Sequence, residues 1–302
     1  MKIPSKYKIW RFPLLLKIKY FFKWIIHRDK ACVTYWIHAS TFTWSPKIKH
    51  YNWGDYINLK FAELISGKTI IPSRYYAFTP KVAMIGSILP WAMDKETIVW
   101  GSGCLDSQDP MWETVENPKE IRAVRGPLTR KVLLQHGINC PEVYGDPVLL
   151  FPRFYPPPEK ISKTDKIGII PHVSSISHFQ GLLSRKVVEN EKIEIINPNI
   201  FANWHEFIDK ILSCKLVLSA SLHGLIVADA YGIPNIWVSF KGEIHLDNYF
   251  KFRDYFLSVG KESIQNPIEY EDVDFAKFQK YIDEWRKPEI DLDKLLEVCP
   301  IM

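Results

Sequence analysis

The sequence holds only five cysteines in 302 residues (Cys32, Cys104, Cys140, Cys214 and Cys299), an odd number without a Cys-x-x-Cys pair. Such scattered thiols indicate neither a disulfide framework nor a zinc site, and they fit a reducing compartment. No uncharged run approaches the ~20 residues that a bilayer-spanning helix needs. An apolar segment followed by a small-residue cleavage site is also missing, so a secretory leader is not expected. No internal repeat of roughly 20–50 residues is visible. Nor does a basic stripe continue through the body of the chain, which argues against a nucleic-acid surface.

What excess positive charge exists lies in one place. Residues 1–30 carry nine Lys or Arg against Asp29 alone, leaving 30 basic and 33 acidic residues elsewhere in a chain of net charge +5. In this arm Lys17, Lys19, Lys23 and Arg28 interleave with Leu14, Leu15, Leu16, Ile18, Phe21, Phe22, Trp24, Ile25 and Ile26. The pattern predicts a basic amphipathic helix. It suits an anionic membrane surface, where each Lys or Arg contributes about 1 kcal/mol. It equally suits a helix packed on its own domain with snorkelling lysines.

With 47% hydrophobic and 14% aromatic residues the chain can build a large core and two domains. Strand-like and helix-like segments alternate from Cys32 onward. Val82–Ile85 and Thr97–Trp100 read as strands ending in glycine; Ile121–Val124 leads through Arg125-Gly126-Pro127 into a helix over 128–135. Residues 146–158 hold Pro147, Pro152, Pro156, Pro157 and Pro158, a density that predicts a linker without regular helix. A second series follows, with strands at Lys166–Ile170, Ile193–Ile196, Lys215–Ser219 and Asn235–Val238, and helices at Trp204–Ser213 and after Ser219. The expectation is an α/β fold of two Rossmann-like domains facing a cleft, preceded by the basic helix. Its parts are an arm (1–30), a first domain (31–150), a linker (151–158), a second domain (159–274) and C-terminal helices (275–302).

The most informative stretch is Ser219 to Pro234, which reads Ser-Ala-Ser-Leu-His-Gly-Leu-Ile-Val-Ala-Asp-Ala-Tyr-Gly-Ile-Pro. It sets His223 where a buried strand gives way to a helix, beside free backbone N–H groups and the positive end of the helix dipole. Anions are favoured there. On its own, a Leu-His-Gly of this kind also reads as a plain turn with a capping histidine.

Four further motifs sit at expected strand ends: Asn52-Trp53-Gly54-Asp55, Gly101-Ser102-Gly103, Arg125-Gly126-Pro127-Leu128-Thr129-Arg130 and Gly145-Asp146-Pro147. Their order, with Ser-Leu-His-Gly-Leu-Ile and a strand followed by Lys241, resembles the polysaccharide pyruvyl transferase family over roughly residues 52–241. The resemblance implies a GT-B-like arrangement, phosphoenolpyruvate as donor, and a sugar hydroxyl pair on a polymeric or lipid-linked glycan as acceptor. It also implies that Arg125, His223 and Lys241 bind the donor, with Ser221, Leu222 and Gly224 of the same motif beside them, and it matches Asp55 to the aspartate of the family's Asn-x-Gly-Asp motif. Asn52, Trp53, Gly54, Gly101, Ser102, Gly103 and His172 fall to the acceptor or cleft side. Many members carry arginine immediately before Leu-His-Gly, where this chain has Ser221, so another cation such as Arg130 must make that contact or the donor pocket differs.

The residue chemistry is coherent without the family. A carboxylate-phosphate donor needs fixed cations, arginine meeting planar oxyanions bidentately and lysine acting as a point charge. Ketal formation then requires an acid and a base but neither a metal nor a redox cofactor. As imidazolium, His223 suits phosphate binding or proton donation, and Asp55 suits proton acceptance from a hydroxyl. Asp55 also reads as a helix cap, Asp146 as a turn residue, and Trp53, Trp100 and Tyr144 as either sugar-stacking or core aromatics. A pyruvyl transferase acting at the cytoplasmic membrane face is the leading reading. A nucleotide-sugar glycosyltransferase and a non-catalytic glycan-binding protein are its alternatives.

Overall fold

A computed structural model describes residues 14–34, 49–50, 52–73, 80–173, 176, 192–240 and 249–302. In chain order the elements are α1 (Leu14–Ile26), β1 (Lys30–Thr34), β2 (Lys49–His50), α2 (Trp53–Ser66), β3 (Thr69–Pro72), β4 (Lys81–Ala83), α3 (Leu89–Ala92), β5 (Thr97–Trp100), β6 (Glu120–Ala123), α4 (Pro127–Gln135) and α5 (Phe151–Phe154). After these come β7 (Ile167–Ile170), β8 (Ile193–Ile195), β9 (Ile200–Phe201), α6 (Glu206–Ser213), β10 (Leu216–Ser219), α7 (Leu222–Ala230), β11 (Asn235–Ser239), α8 (Phe250–Ser258), β12 (Ile268–Glu269), α9 (Phe278–Glu284) and α10 (Leu292–Glu297).

Two five-stranded sheets result, β3-β1-β4-β5-β6 and β12-β11-β10-β7-β8, each parallel throughout. A short antiparallel pair, β2 with β9, joins the first half of the chain to the second. The central strands are apolar on both faces, as parallel strands covered by helices must be. In β10, Leu216 and Leu218 face one apolar cluster with Ile167 and Ile169, while Val217 faces another. That other cluster takes in both halves of the chain: Val33, Trp53, Phe61 and Trp100 lie in it with Phe151, Phe207, Leu225 and Trp237.

The proline-rich segment departs from expectation. Residues Pro147–Leu150 form a 3-10 turn and α5 adds one helical turn, with Pro147 through Phe151 buried. Pro147 and Pro152 stand in the first turn of their elements, where the missing N–H has no helical partner to lose. A second departure is α8, which the sequence reading passes over.

Candidate functional site

Strand β10 ends at Ser219, whose hydroxyl closes the turn by accepting from the Ser221 N–H (3.1 Å) and donating to the Ser221 carbonyl (2.8 Å). Ser221 is the N-cap residue of α7, yet its side chain makes no capping bond. Leu222 is buried at the first helical position, and His223 follows it with 12% of its side chain exposed. Gly224 permits this close docking: a Cβ there would lie 2.4 Å from Ser219 Oγ and 2.8 Å from Ile170 Cδ1.

The start of α2 meets the start of α7. Asn52 caps α2, its Oδ1 accepting from the Gly54 N–H (3.3 Å) and its Nδ2 donating to Asp55 Oδ2 (3.1 Å). Capping therefore falls to Asn52, and Asp55 is left as a half-buried carboxyl of the first turn. Burial pushes its pKa up to about 7, against the Asn52 hydrogen bond and the Lys251 charge, which act to lower it. Asn58 holds the helix in place by bonding the Ile85 carbonyl (3.0 Å) and N–H (2.9 Å) past the end of β4. Gly54 packs against the imidazole itself: a Cβ on it would sit 2.0 Å from His223 Nδ1. Two helix N-termini, with the positive ends of their dipoles, thus converge on His223, although the first-turn N–H groups of α2 are already bonded to Pro198 and Asn52.

A second set of motifs closes the other side. The Gly101-Ser102-Gly103 loop follows β5, with Gly101 at φ +86° against Pro147 and Gly103 against the Arg125 guanidinium. Ser102 is fully buried, and its hydroxyl has no hydrogen-bond partner among the described residues. Arg125 is buried too: Nε donates to Asp254 Oδ2 (3.1 Å), one terminal nitrogen to Ser87 Oγ (2.6 Å) and the other to the Cys104 carbonyl (2.8 Å). Asp254 also accepts from the Thr129 N–H (2.9 Å) and hydroxyl (2.6 Å), tying α8 to the start of α4. The expectation of an Arg125 side chain open to a donor is corrected: helix α8 covers it and supplies its carboxylate.

Asp146, read as a turn residue, does cap the 3-10 turn, its Oδ1 accepting from the Val148 N–H at 3.0 Å. Its other oxygen lies 3.9 Å from His223 Nε2. Burial pushes the Asp146 pKa up to about 7, opposed by the Val148 hydrogen bond and Arg125. Burial pushes the His223 pKa down to about 3, with the Arg125 and Lys251 charges acting in the same direction. Burial and these two cations thus disfavour the imidazolium expected from sequence.

Of the residues named from sequence, Asn52, Gly54, Asp55, Gly101, Gly103, Arg125, Ser221, Leu222, His223 and Gly224 come together here. Trp53 does not serve as a stacking platform. It is fully buried against Phe207 and Phe151, and its indole N–H donates to the Trp204 carbonyl (2.7 Å). Trp100 is likewise core, donating to the Leu295 carbonyl. Arg130 turns to Glu142 and the Cys140 carbonyl. His172 lies half-buried just beyond β7, and Lys241 lies outside the described residues. Lys251, whose charge reaches both Asp55 and His223, was not singled out from sequence, and neither was Asp254. Among the described residues no group of three or more His, Cys, Asp or Glu is placed to hold a metal ion, and no helix is long and apolar enough to cross a membrane.

Residues 18–242 match a family model described as polysaccharide pyruvyl transferase. The chain is 28% identical over 221 residues to the uncharacterized protein L143 of Acanthamoeba polyphaga mimivirus, covering 72% of this chain and 74% of that one. It is 29% identical over 224 residues to the succinoglycan biosynthesis protein ExoV of Rhizobium meliloti (strain 1021), covering 70% of this chain and 63% of the rhizobial protein.

Proposed function

The chain belongs to the polysaccharide pyruvyl transferase family, and on that premise we propose that it transfers a pyruvyl group from phosphoenolpyruvate to two hydroxyls of a polysaccharide repeat unit or its lipid-linked precursor. The observation that carries this reading is the convergence of two helix N-termini on His223, with the Asp146 carboxyl 3.9 Å from its Nε2 and Asp55 next in sequence to the Gly54 that touches the ring. In this reading the two sheets are two Rossmann-like domains, 31–150 and 159–274, in a GT-B-like arrangement with the site between them. Residues 151–158 connect them; of the C-terminal helices (275–302), α9 packs on the second sheet, while α10 and the chain end return to the first half, where the Leu295 and Ile301 carbonyls accept from Trp100 and Lys68.

The donor's anionic groups lie at the mouth of α7, held by backbone N–H groups, His223 and the cations Lys251 and Lys241. Arg125 adds positive field without direct contact, attenuated by its salt bridge with Asp254. A proton reaches the methylene carbon, a sugar hydroxyl adds to the adjacent carbon, phosphate departs, and a second hydroxyl closes the ketal. One hydroxyl proton is balanced by the new methyl C–H, and the other leaves with phosphate. Asp55 takes a hydroxyl proton; a carboxyl near pKa 7 exchanges protons readily at neutral pH. The succinoglycan role in the name of the rhizobial relative supports a glycan acceptor.

The protein works at the cytoplasmic membrane face, with α1 as its peripheral anchor. The test is to incubate it with phosphoenolpyruvate and a glycan bearing a free hydroxyl pair, expecting phosphate released in step with ketal. His223→Ala and Asp55→Ala should each slow release by about 100-fold or more. Glycosyl transfer from a nucleotide sugar, or no binding of phosphoenolpyruvate, would replace this reading.

A further inference from the structure

Asp146 is fully buried, and its orientation is fixed. Oδ1 is committed to the Val148 N–H, which leaves Oδ2 aimed at α7, the helix against which the Pro147–Leu150 turn packs. Oδ2 has no hydrogen-bond partner among the described residues, and neither does His223 Nε2, buried 3.9 Å away. That gap is about 1 Å longer than a hydrogen bond. Two buried polar atoms pointing at each other without a bond are costly unless function uses them.

We propose that Asp146 and His223 are a proton-sharing pair: Asp146 holds the proton and passes it to His223 Nε2 when an anion binds at the mouth of α7. The inference rests on the reading of His223 as a donor-site residue. In the transfer the Asp146 O–H bond breaks, its electron pair stays on Oδ2, and an N–H bond forms on Nε2. The charge of the pair is unchanged, but the ring becomes positive where the anion arrives. No solvent proton is taken up. Asp146 acts through His223 and is not itself a catalytic residue.

The surroundings favour this order of events. Arg125, just past β6, and Lys251 on α8 both oppose a cationic ring. The Asp55 carboxyl on α2 is pushed up to about 7 by burial, so it carries only part of a negative charge at neutral pH. On α8, Asp254 is bound to Arg125, and the Tyr255 hydroxyl is bound to Asp229. An incoming dianion offsets the two cations and makes the imidazolium the favoured form. Titration of such a pair belongs to both members together.

The experiment compares Asp146→Asn, whose amide oxygen can still cap the turn, with wild type in binding phosphoenolpyruvate and, separately, sulfate. The ratio of the two Kd values cancels the ligand's own ionisation. Wild type draws its proton internally and the variant draws it from solvent, so the ratio should rise about tenfold per pH unit from about pH 5 to about pH 6.5. In wild type alone, the imidazole 15N resonances of His223 should change from neutral to imidazolium on saturation with sulfate, a readout that does not depend on the variant's folding. A ratio independent of pH, or a ring that stays neutral in the saturated complex, overturns the pair. If sulfate binds and phosphoenolpyruvate does not, the donor assignment falls while the pair is still tested; if neither binds, both fall.

Discussion

Gly54 and His223 touch so closely that the backbone of one helix start forms the floor under the imidazole of the other, a Cβ at residue 54 falling 2.0 Å from Nδ1. Alanine there would gain helix propensity in an ordinary setting, but here it displaces the ring. Gly54→Ala is expected to cost no more than about 1–3 kcal/mol in stability. Pyruvyl transfer should fall by about 100-fold, since misplacing a reacting group by an ångström costs that much. Denaturation and turnover measured on the same preparation check the split.

The Arg125–Asp254 pair is buried on both sides, so removing one partner strands a charge. Arg125→Met or Asp254→Leu should each destabilise the protein by about 3–5 kcal/mol, and the double replacement by distinctly less than the sum. Urea denaturation of the four proteins reads this directly. Additive single losses would show that the two side chains are not coupled.

Stability should depend on pH through two other buried groups, Asp146 and His223. Asp146, at about 7 against 3.8, keeps a proton that the unfolded chain has already released. Its contribution is full below the unfolded value and is lost as pH rises through 7. His223, pushed down to about 3 from 6.5, works in the opposite sense, its contribution fading as pH falls through that interval. Asp146→Asn removes only the first of these contributions. Relative to wild type, the variant should gain stability from about pH 4.5 to about pH 7, by up to about 1.4 kcal/mol per pH unit. Urea denaturation across that range is the measurement.

Helix α1 turns apolar side chains outward: Ile18, Phe21, Phe22, Ile25 and Ile26 are 40–70% exposed. They recur at helical spacing beside Lys19, Lys23 and Arg28, the arrangement that suits an anionic interface. Replacing Phe22, Ile25 and Ile26 with serine should abolish sedimentation with phosphatidylglycerol vesicles. Transfer to a water-soluble acceptor should be unaffected. Equal sedimentation of variant and parent would show that this face does not meet lipid.

The parallel strands were legible because β5, β7 and β10 are short apolar runs with turn residues at their ends. The starts of α2 and α7 were legible from Asn52 and from Ser-Leu-His-Gly. Helix α8 was not. Its buried face includes Asp254 and Ser258, which break the apolar period, and Tyr249 before it offers no side-chain cap. Strand β3 is a two-isoleucine run closed by Pro72. For the same reason the partner of Arg125 was hidden, since a buried aspartate declares itself only by what it faces. Asp146 was visible as a turn former, but its second oxygen acquires meaning only when α7 is brought against the turn. Helical spacing suggested the exposed face of α1, but whether that face was covered could be learned only from packing.

The bond between Arg125 and Asp254 spans 129 residues of sequence, and this sets an order of events on the ribosome. The strands that carry Arg125 emerge on the order of ten seconds before α8 does. Until then the guanidinium has no carboxylate, and the niche at Gly126, where the Asp254 backbone later fits, stands empty. A nascent first sheet therefore has a reason to stay open to water. The bond to α8 and the finished site arrive late, so a truncated chain ending before α8 would carry most of the recognisable motifs while lacking the contact that lets Arg125 be buried.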